Sequence, residues 1–281
     1  GSPPQPVSGE MGGKVTLSNI PKGTCVLIMD PSPSATAMNA PAVFEFPNDK
    51  GSSPSITLKY RRLQDPSRLV TLPGYKVETF IAGLDQPRQM VTNDDGTLLF
   101  VGTSAIRTWV DNARHASIIY AIELDPETGV PGKVHVVDAG LEEPHGVAYR
   151  DGTLYYSTVG ALYRIRDIDT VYKGGLVAQR DEVLKFPADD VKFPLLKEAR
   201  DGDTAREQHQ KHPLFFNPYN KDDPSLYTAV GIPCNVCRVP KDDRYGTIMK
   251  IDVEKKTFTL LAHGVRNAGG YDWNPQDGKI W

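Results

Sequence analysis

Cysteine is scarce, with 3 in 281 residues, too few for a disulfide framework. No run of 18 apolar residues occurs, so the sequence offers no membrane-spanning helix. Charge of one sign is also missing. Lys and Arg total 32 against 35 Asp and Glu, a formal net charge of −3. Such a balance gives no basic stripe for nucleic acid or for an anionic membrane surface. The start, Gly1-Ser2-Pro3-Pro4, has no charged region followed by an apolar core. It is not a signal peptide as it stands, and reads as a mature end or a cloning scar. No Walker loop, dinucleotide fingerprint, HExxH or G-x-S-x-G motif is present, which removes the commonest nucleotide, zinc-protease and serine-hydrolase signatures.

What is present is an ordered composition, 39% hydrophobic and 24% charged, outside the disordered range. There are 25 Gly and 23 Pro. Helix interiors tolerate both poorly, so a turn-rich β protein is expected. Cys234 and Cys237 form a Cys-Asn-Val-Cys pair, and Cys25 stands alone. Covalent haem attachment needs His after the second Cys, and Arg238 is there. A structural zinc needs two more ligands, and none follows nearby. The pair is left as a local disulfide or two buried thiols.

Residues 1–75 read as a β-rich extension or small module. A Pro- and Gly-containing lead-in precedes strand-like runs at Val15–Leu17, Cys25–Met29, Val43–Phe46 and Ile56–Tyr60. Ser55–Tyr60 alternates polar and apolar residues, the period of a half-buried strand.

From about residue 76 to 281 a unit repeats: a Pro or small residue, an apolar stretch, an Asp-containing turn and a second β run. Its copies are Pro87–Val91 with Leu98–Gly102, Pro144–Ala148 with Leu154–Ser157, Pro213–Phe216 with Leu226–Gly231, and Ala268–Trp273 with Lys279–Trp281. The turns Asp95-Gly96, Asp151-Gly152, Asp222-Asp223 and Asp277-Gly278 suit hairpins rather than metal ligands. Further strands are expected at Ile118–Leu124, Val134–Asp138, Leu162–Ile165 and Thr247–Asp252. Four strands per repeat is the arithmetic of a β-propeller blade, which cannot bury both faces alone and stacks around an axis. About four blades are represented, so the ring is expected to be incomplete at its C-terminal side. The polar stretch Asp189–Gln210 reads as a loop with a helical turn, inserted where propellers build sites.

Two segments carry candidate chemistry: Glu207–Pro218, containing His209 and His212, and His263–Trp273, containing Arg266 and Asn267. The order of His209, Leu214, Pro218, Leu226–Gly231, Cys234-Asn235-Val236-Cys237, Gly264-Val265-Arg266-Asn267 and Trp273-Asn274-Pro275 resembles the soluble pyrroloquinoline quinone (PQQ)-dependent sugar dehydrogenases, in particular their sorbosone dehydrogenase-like branch. The resemblance spans residues 76–281. It implies a six-bladed propeller with the quinone lying flat at the mouth. It also implies His209 as general base, and Arg266 and Asn267 as cofactor-binding residues.

Those roles suit the side chains. Imidazole titrates near neutrality and can accept a proton. Guanidinium offers forked donors to carboxylates and keeps its charge. The resemblance further implies calcium, with ligands beyond residue 281; a sugar, alcohol or aldehyde substrate; a redox partner such as a c-type cytochrome; and a periplasmic or secreted location. Two positions depart from the glucose enzymes of the family. Gly269 stands where they carry Gln, and Gln208 where they carry an acid.

Each candidate has a plainer reading. His209 can be a surface residue, and His212 can take its role if the register slips by three. His145 and Arg88 read as structural. Arg266 can be a salt-bridging rim residue, and Asn267 a turn former. The alternative function is a non-catalytic propeller that binds a partner protein or glycan. A propeller hydrolase of the lactonase kind would need a carboxylate-rich metal centre, which these residues do not assemble.

Overall fold

A computed structural model describes residues 69–82, 84, 86–103, 118–174, 180–187, 211–232 and 242–281, together with the backbone of four short strands nearer the N-terminus. Those four are β1 (Gly23–Leu27), β2 (Thr36–Met38), β3 (Ala42–Phe46) and β4 (Tyr60–Arg62). They form two antiparallel pairs, β1 with β3 and β2 with β4. The runs expected at Cys25–Met29 and Val43–Phe46 overlap β1 and β3. Val15–Leu17 and residues 55–59 lie outside the described residues.

Twelve strands follow in three sheets. The first contains β5 (Pro87–Thr92), β6 (Leu98–Thr103), β7 (Ile118–Leu124) and β8 (Pro131–Ala139). The second contains β9 (Val147–Arg150), β10 (Thr153–Ser157), β11 (Ala161–Ile165) and β12 (Asp181–Lys185). The third contains β13 (Leu214–Phe216), β14 (Leu226–Val230), β15 (Thr247–Asp252) and β16 (Thr257–His263). In every sheet the strands neighbour one another in chain order and pair antiparallel, so each is a meander. The first strands lie side by side, β5 against β9 and β9 against β13. This sets the sheets radially around a shared hub. A further hairpin begins at Tyr271, bridges Trp273 to Ile280, and packs Tyr271 and Trp273 edge-on against Phe215 and Tyr227. The described chain is therefore part of a β-propeller, with three complete blades and the opening hairpin of a fourth.

The side-chain period of two explains why blades must stack. Successive residues of a strand point to opposite faces, so both faces of the middle blade need a neighbour. Leu154 and Tyr156 of β10 join Phe100, Ile119, Ala121 and Val137 of the first blade. Tyr155 between them joins Leu214, Leu226, Met249 and Ile251 of the third. All five residues of β10 are buried, as expected for a strand covered on both sides. Full burial of a large apolar side chain contributes about 1.5–3 kcal/mol, and these two seams hold most of the buried apolar residues.

The Asp-Gly turns behave as hairpin chemistry. Asp151 and Gly152 both take positive φ, 48° and 71°, and join Arg150 to Thr153 in the turn that matches strand twist. Asp95 instead accepts the Thr97 amide at 3.0 Å and its hydroxyl at 2.6 Å, which locks the turn before β6.

One short helix, α1 (Ile168–Val171), lies between β11 and β12, continued by a single 3-10 turn. It seats Ile168, which is fully buried, into the first seam. The expected strands at Ile118–Leu124 and Thr247–Asp252 coincide with β7 and β15, and Val134–Asp138 and Leu162–Ile165 fall within β8 and β11. The insertion expected at Asp189–Gln210 lies outside the described residues.

Candidate functional site

Each blade has two ends. At the hairpin end the first strand turns into the second. At the mouth end the first strand begins, and the chain arrives from the outermost strand of the preceding blade. Register fixes equivalent positions among the blades. Val91 faces Phe100, Val147 faces Tyr156, and Leu214 faces Thr228. Two residues before each of these apolar positions stand Gln89, His145 and His212. Three successive blades therefore place a hydrogen-bonding side chain at one height beside the hub. In the fourth hairpin the bridge between Trp273 and Ile280 gives Gly269 that position.

Gln89 crosses from the first blade to the third. Its amide nitrogen donates to the Leu214 carbonyl, and its oxygen accepts the Leu214 amide at 3.0 Å. A first strand exposes an unpaired edge toward the axis, and this amide satisfies both backbone groups of one residue on that edge.

His212 is 1% exposed and lies against the Phe186 ring at 4.0 Å between centroids. Its Nδ1 is 2.9 Å from the Ala229 carbonyl, and its Nε2 is 3.3 Å from the Val159 carbonyl. Burial pushes its pKa down to about 4 against the opposing pull of those carbonyls, so the ring is neutral near pH 7. A neutral ring has one N–H for two carbonyls. The shorter contact assigns that proton to Nδ1.

His145 differs in one respect. Its Nδ1 is buried and has no hydrogen-bond partner among the described residues. Burial, then the positive charges of Lys211 and Arg88, hold its pKa at about 4. The Lys211 ammonium is itself pushed down from the usual lysine range, chiefly by burial. The Glu143 carboxylate opposes that shift and the Arg88 guanidinium adds to it. Glu143 is buried and Arg88 is exposed. The mouth thus gathers two cations, one buried carboxylate with partners of its own, and an imidazole nitrogen without a partner among the described residues.

The backbone here is packed too tightly for side chains. A Cβ on Gly146 would fall 2.1 Å from the His212 carbonyl oxygen and 2.6 Å from the Ser157 hydroxyl. Ser157 ties the two blades by donating to the His212 carbonyl at 2.6 Å and accepting from the Gly146 amide at 3.0 Å. The first seam repeats the device. A Cβ on Gly102 would lie 2.5 Å from the His145 carbonyl oxygen, and the Thr103 amide donates to the Pro144 carbonyl at 2.8 Å.

Arg266 and Asn267 follow β16, whose last residues pair with the start of β15. Ile232, just after β14, donates its amide to the Arg266 carbonyl at 2.9 Å, and Gly246 donates to Val230 at 2.8 Å. Arg266 is therefore at the mouth end of the third blade, the end where Lys211 and His212 enter β13. The side chains of Arg266 and Asn267 are exposed. His209, Gln208, Cys234 and Cys237 lie outside the described residues.

Lys211 was not singled out by the sequence. The signal available was the repeat itself, because aligning Val91, Val147 and Leu214 puts Arg88, Pro144 and Lys211 at successive blade entrances. The opposite end holds a recess of about 310 Å³ lined by Asn93, Asp95, Glu123, Asp169, Tyr172 and Lys173, among others. Its carboxylates are already engaged, Asp169 by Tyr149 at 2.6 Å and Glu123 by Tyr172 at 3.1 Å. Among the described residues no group of His, Cys, Asp and Glu could hold a metal ion, and no helix is long and apolar enough to cross a membrane.

No protein-family model matches the chain. An uncharacterized protein of Borreliella burgdorferi (strain ATCC 35210 / DSM 4680 / CIP 102532 / B31) is 23% identical over 209 residues, 74% of this chain and 47% of its own length. The solved structure of the holo form of the pyranose dehydrogenase PQQ domain from Coprinopsis cinerea superposes with a TM-score of 0.50 at 15% identity. That match covers 72% of this chain and 44% of the neighbour. A putative 6-phosphogluconolactonase from Bacteroides uniformis ATCC 8492 gives 0.40 at 14% identity, over 86% of this chain and 56% of the neighbour. The chain thus spans about half the length of these relatives. At such identities the likeness to the PQQ domain is one of fold.

Proposed function

We propose that this chain is part of a PQQ-dependent oxidoreductase that dehydrogenates sugars or related alcohols and aldehydes, in the sorbosone dehydrogenase-like manner, in the periplasm or outside the cell. The observation that carries the reading is the chemistry of the mouth. It gathers Arg88 and Lys211 around one buried carboxylate, holds a buried imidazole nitrogen with no partner among the described residues, and lies at the same blade end as Arg266. Such a donor set fits a multiply charged planar carboxylate. The fold shared with a holo PQQ domain supports the same choice of group.

When bound, the quinone would supply the hydride-accepting carbon. The chain's own residues would do the rest. His209 takes the substrate hydroxyl proton, and Arg266 and Asn267 hold the cofactor's oxygens. Their preorganised donors would stabilise negative charge on the bound group without the reorganisation that water needs. A c-type cytochrome or similar carrier would take the electrons, and calcium would accompany the quinone.

The test is reduction of an artificial electron acceptor by the full-length protein, loaded with PQQ and calcium, across a panel of aldoses. Loss of a general base costs about 10²–10⁴-fold. His209→Ala should therefore lose at least about 100-fold in kcat while keeping its fold. No turnover with any member of the panel, or His209→Ala as active as wild type, rejects the proposal.

A further inference from the structure

We propose that residues 76–82 are the outermost strand of a blade that seats on the first blade, on the face away from the second, and that they pair with the third strand of that blade and so close the propeller ring. This holds whatever ligand the mouth binds.

Three observations lead to it. The first is a repeat. Lys76-Val77-Glu78-Thr79-Phe80-Ile81-Ala82-Gly83-Leu84 precedes Pro87, and Lys133-Val134-His135-Val136-Val137-Asp138-Ala139-Gly140-Leu141 precedes Pro144. Lys, Val, Ala, Gly, Leu and Pro recur at the same spacing. The second copy is the end of β8 and the junction into the second blade. β16, followed by Gly264 and Val265, stands in the same place in the third blade. Residues 76–82 thus hold an outer-strand position, yet they carry no strand pairing among the described residues. Lys76 and Glu78 pair at 2.8 Å, on one side, as residues two apart on a strand do.

The second observation is a shared bulge. β8 skips Val137 in its pairing with β7, β12 skips Val183 against β11, and β16 skips Leu261 against β15. A bulge re-aims the side chain of its extra residue. Val137 and Val183 are buried in the seams with the following blades. Phe80 stands three residues before its glycine, as Val137 and Leu261 do, and is 50% exposed. It is an apolar bulge residue without the cover that Val137 and Val183 have.

The third observation is the seat of the junction. Leu141 packs into the seam between the first and second blades. Its counterpart Leu84 packs with Ile81 against the cluster of Leu99, Val101, Tyr120 and Ile122 on the opposite face of the first blade. The junction therefore already lies as one between two blades does. Each complete blade leads from its outer strand into the first strand of the next. A chain that enters the ring on an outer strand leaves the last blade one strand short. Residues 76–82 supply that strand, which removes the bare edge an open ring would keep.

Hydrogen–deuterium exchange on the full-length protein, read on peptides covering residues 75–82, is the test. The bonded amides should exchange at least about 100-fold more slowly than in a free peptide of the same sequence, at every protein concentration. Phe80→Ser should melt several degrees below wild type, as Val137→Ser should. Lys76→Ser, at a position that is exposed like its counterpart Lys133, should melt as wild type.

Fast exchange throughout residues 76–82 overturns the proposal. Slow exchange confined to concentrations at which the protein sediments as a dimer means that a second copy supplies the partner strand, and closure within one chain is overturned. Slow exchange with an unchanged melt for Phe80→Ser overturns the register that turns Phe80 into the seam. Should Phe80→Ser fail to fold, exchange on the unsubstituted protein decides alone. PQQ enters none of these outcomes, so each leaves the dehydrogenase reading to its own test.

Discussion

The two ends of the blades use the same kinds of residue to opposite effect. At the hairpin end the buried and half-buried charges of the second seam are answered. Arg164, 6% exposed, donates to Asp181 at 2.8 Å and to Glu254 at 2.6 Å, and also reaches the Val253 carbonyl at 3.2 Å. Arg150 donates to the Asp223 carbonyl at 2.6 Å and lies 4.0 Å over the Phe216 ring. Lys256 joins Asp181 at 2.7 Å. All but the Arg164–Asp181 pair, which joins β11 to β12, bind the second blade to the third. At the mouth end beside the hub, Lys211 is pushed down from the usual lysine range by burial, with Glu143 opposing the shift, and the His145 Nδ1 has no hydrogen-bond partner among the described residues. Satisfied polar networks fix geometry. The lesson is a contrast along each strand: the turn end spends its polar groups on joining blades, and the entrance keeps polar groups that the described fold does not use.

The sharpest way to break that division is at the glycine where two mouth entrances touch. In Gly146→Ala the new methyl group would meet the backbone oxygen of His212, with Ser157 and Leu214 crowding it as well. Backbone cannot yield as a side-chain tip can, so the blades must separate locally. Overpacking of this kind costs about 3 kcal/mol, and the melting temperature should fall by several degrees. Gly160→Ala, at a position with nothing within 4 Å, is the control and should leave the melt nearly unchanged. Equal melts for the two variants would show that the second and third blades are not in the described contact.

Much of this architecture could be read from the chain. The strands expected at Ile118–Leu124 and Thr247–Asp252 match β7 and β15 to the residue: β7 is an apolar run buried along most of its length, and β15 alternates buried and half-buried residues. The outermost strands were less visible. β12, Asp-Glu-Val-Leu-Lys, and β16, Thr257–His263, face solvent on one side and are mostly polar or exposed, so pattern alone does not set them apart from loop. The site was legible only in part. Arg266 was placed by motif order, and the structure puts it at the mouth end. Lys211 was missed because its significance is electrostatic. It depends on which charges three blades bring together, and spacing within one blade carries no trace of that. His145, read as structural, belongs to the same cluster through the register of β9.

Acid separates the two ends by a second route. His212 and His145 have folded pKa values near 4, below the value of about 6.5 expected in the unfolded chain. The unfolded chain therefore takes up protons first as pH falls. The stabilisation is fully present above about pH 6.5 and is lost progressively down to about pH 4. Between pH 6.5 and 5 the deeply buried His212 alone should cost about 2 kcal/mol. Denaturant melts across that range should show the slope, and His212→Asn should flatten it while lowering stability at neutral pH. The hairpin-end carboxylate Asp223 titrates elsewhere. Burial acts to raise its pKa, but hydrogen bonds from Ser225, Tyr227 and Lys250 outweigh it and hold it at about 2. Its contribution is present above about pH 4 and is lost only below, as pH falls toward 2. A stability profile flat from pH 7 to pH 4 would overturn the assignment of buried neutral imidazoles to the mouth.

The smallest effect is expected where redundancy is greatest. Lys250 donates to Asp223 at 3.0 Å, but Tyr227 donates to the same carboxylate at 2.7 Å and the Ser225 amide at 3.1 Å. Removing the ammonium leaves the carboxylate with partners, so no buried charge is stranded. Lys250 is also partly exposed, 37% for the side chain, and solvent screens such a pair. Lys250→Met should therefore cost no more than about 1 kcal/mol, and the Asp223 pKa, followed by NMR titration of its side-chain carboxyl, should move upward while remaining below that of a free aspartate. The direction of this shift carries the comparison. At the hairpin end, removing one cation should destabilise slightly, because that charge serves the fold. A loss at Lys250 larger than at any mouth residue would mean that the hairpin network is a single cooperative unit rather than a set of interchangeable bonds.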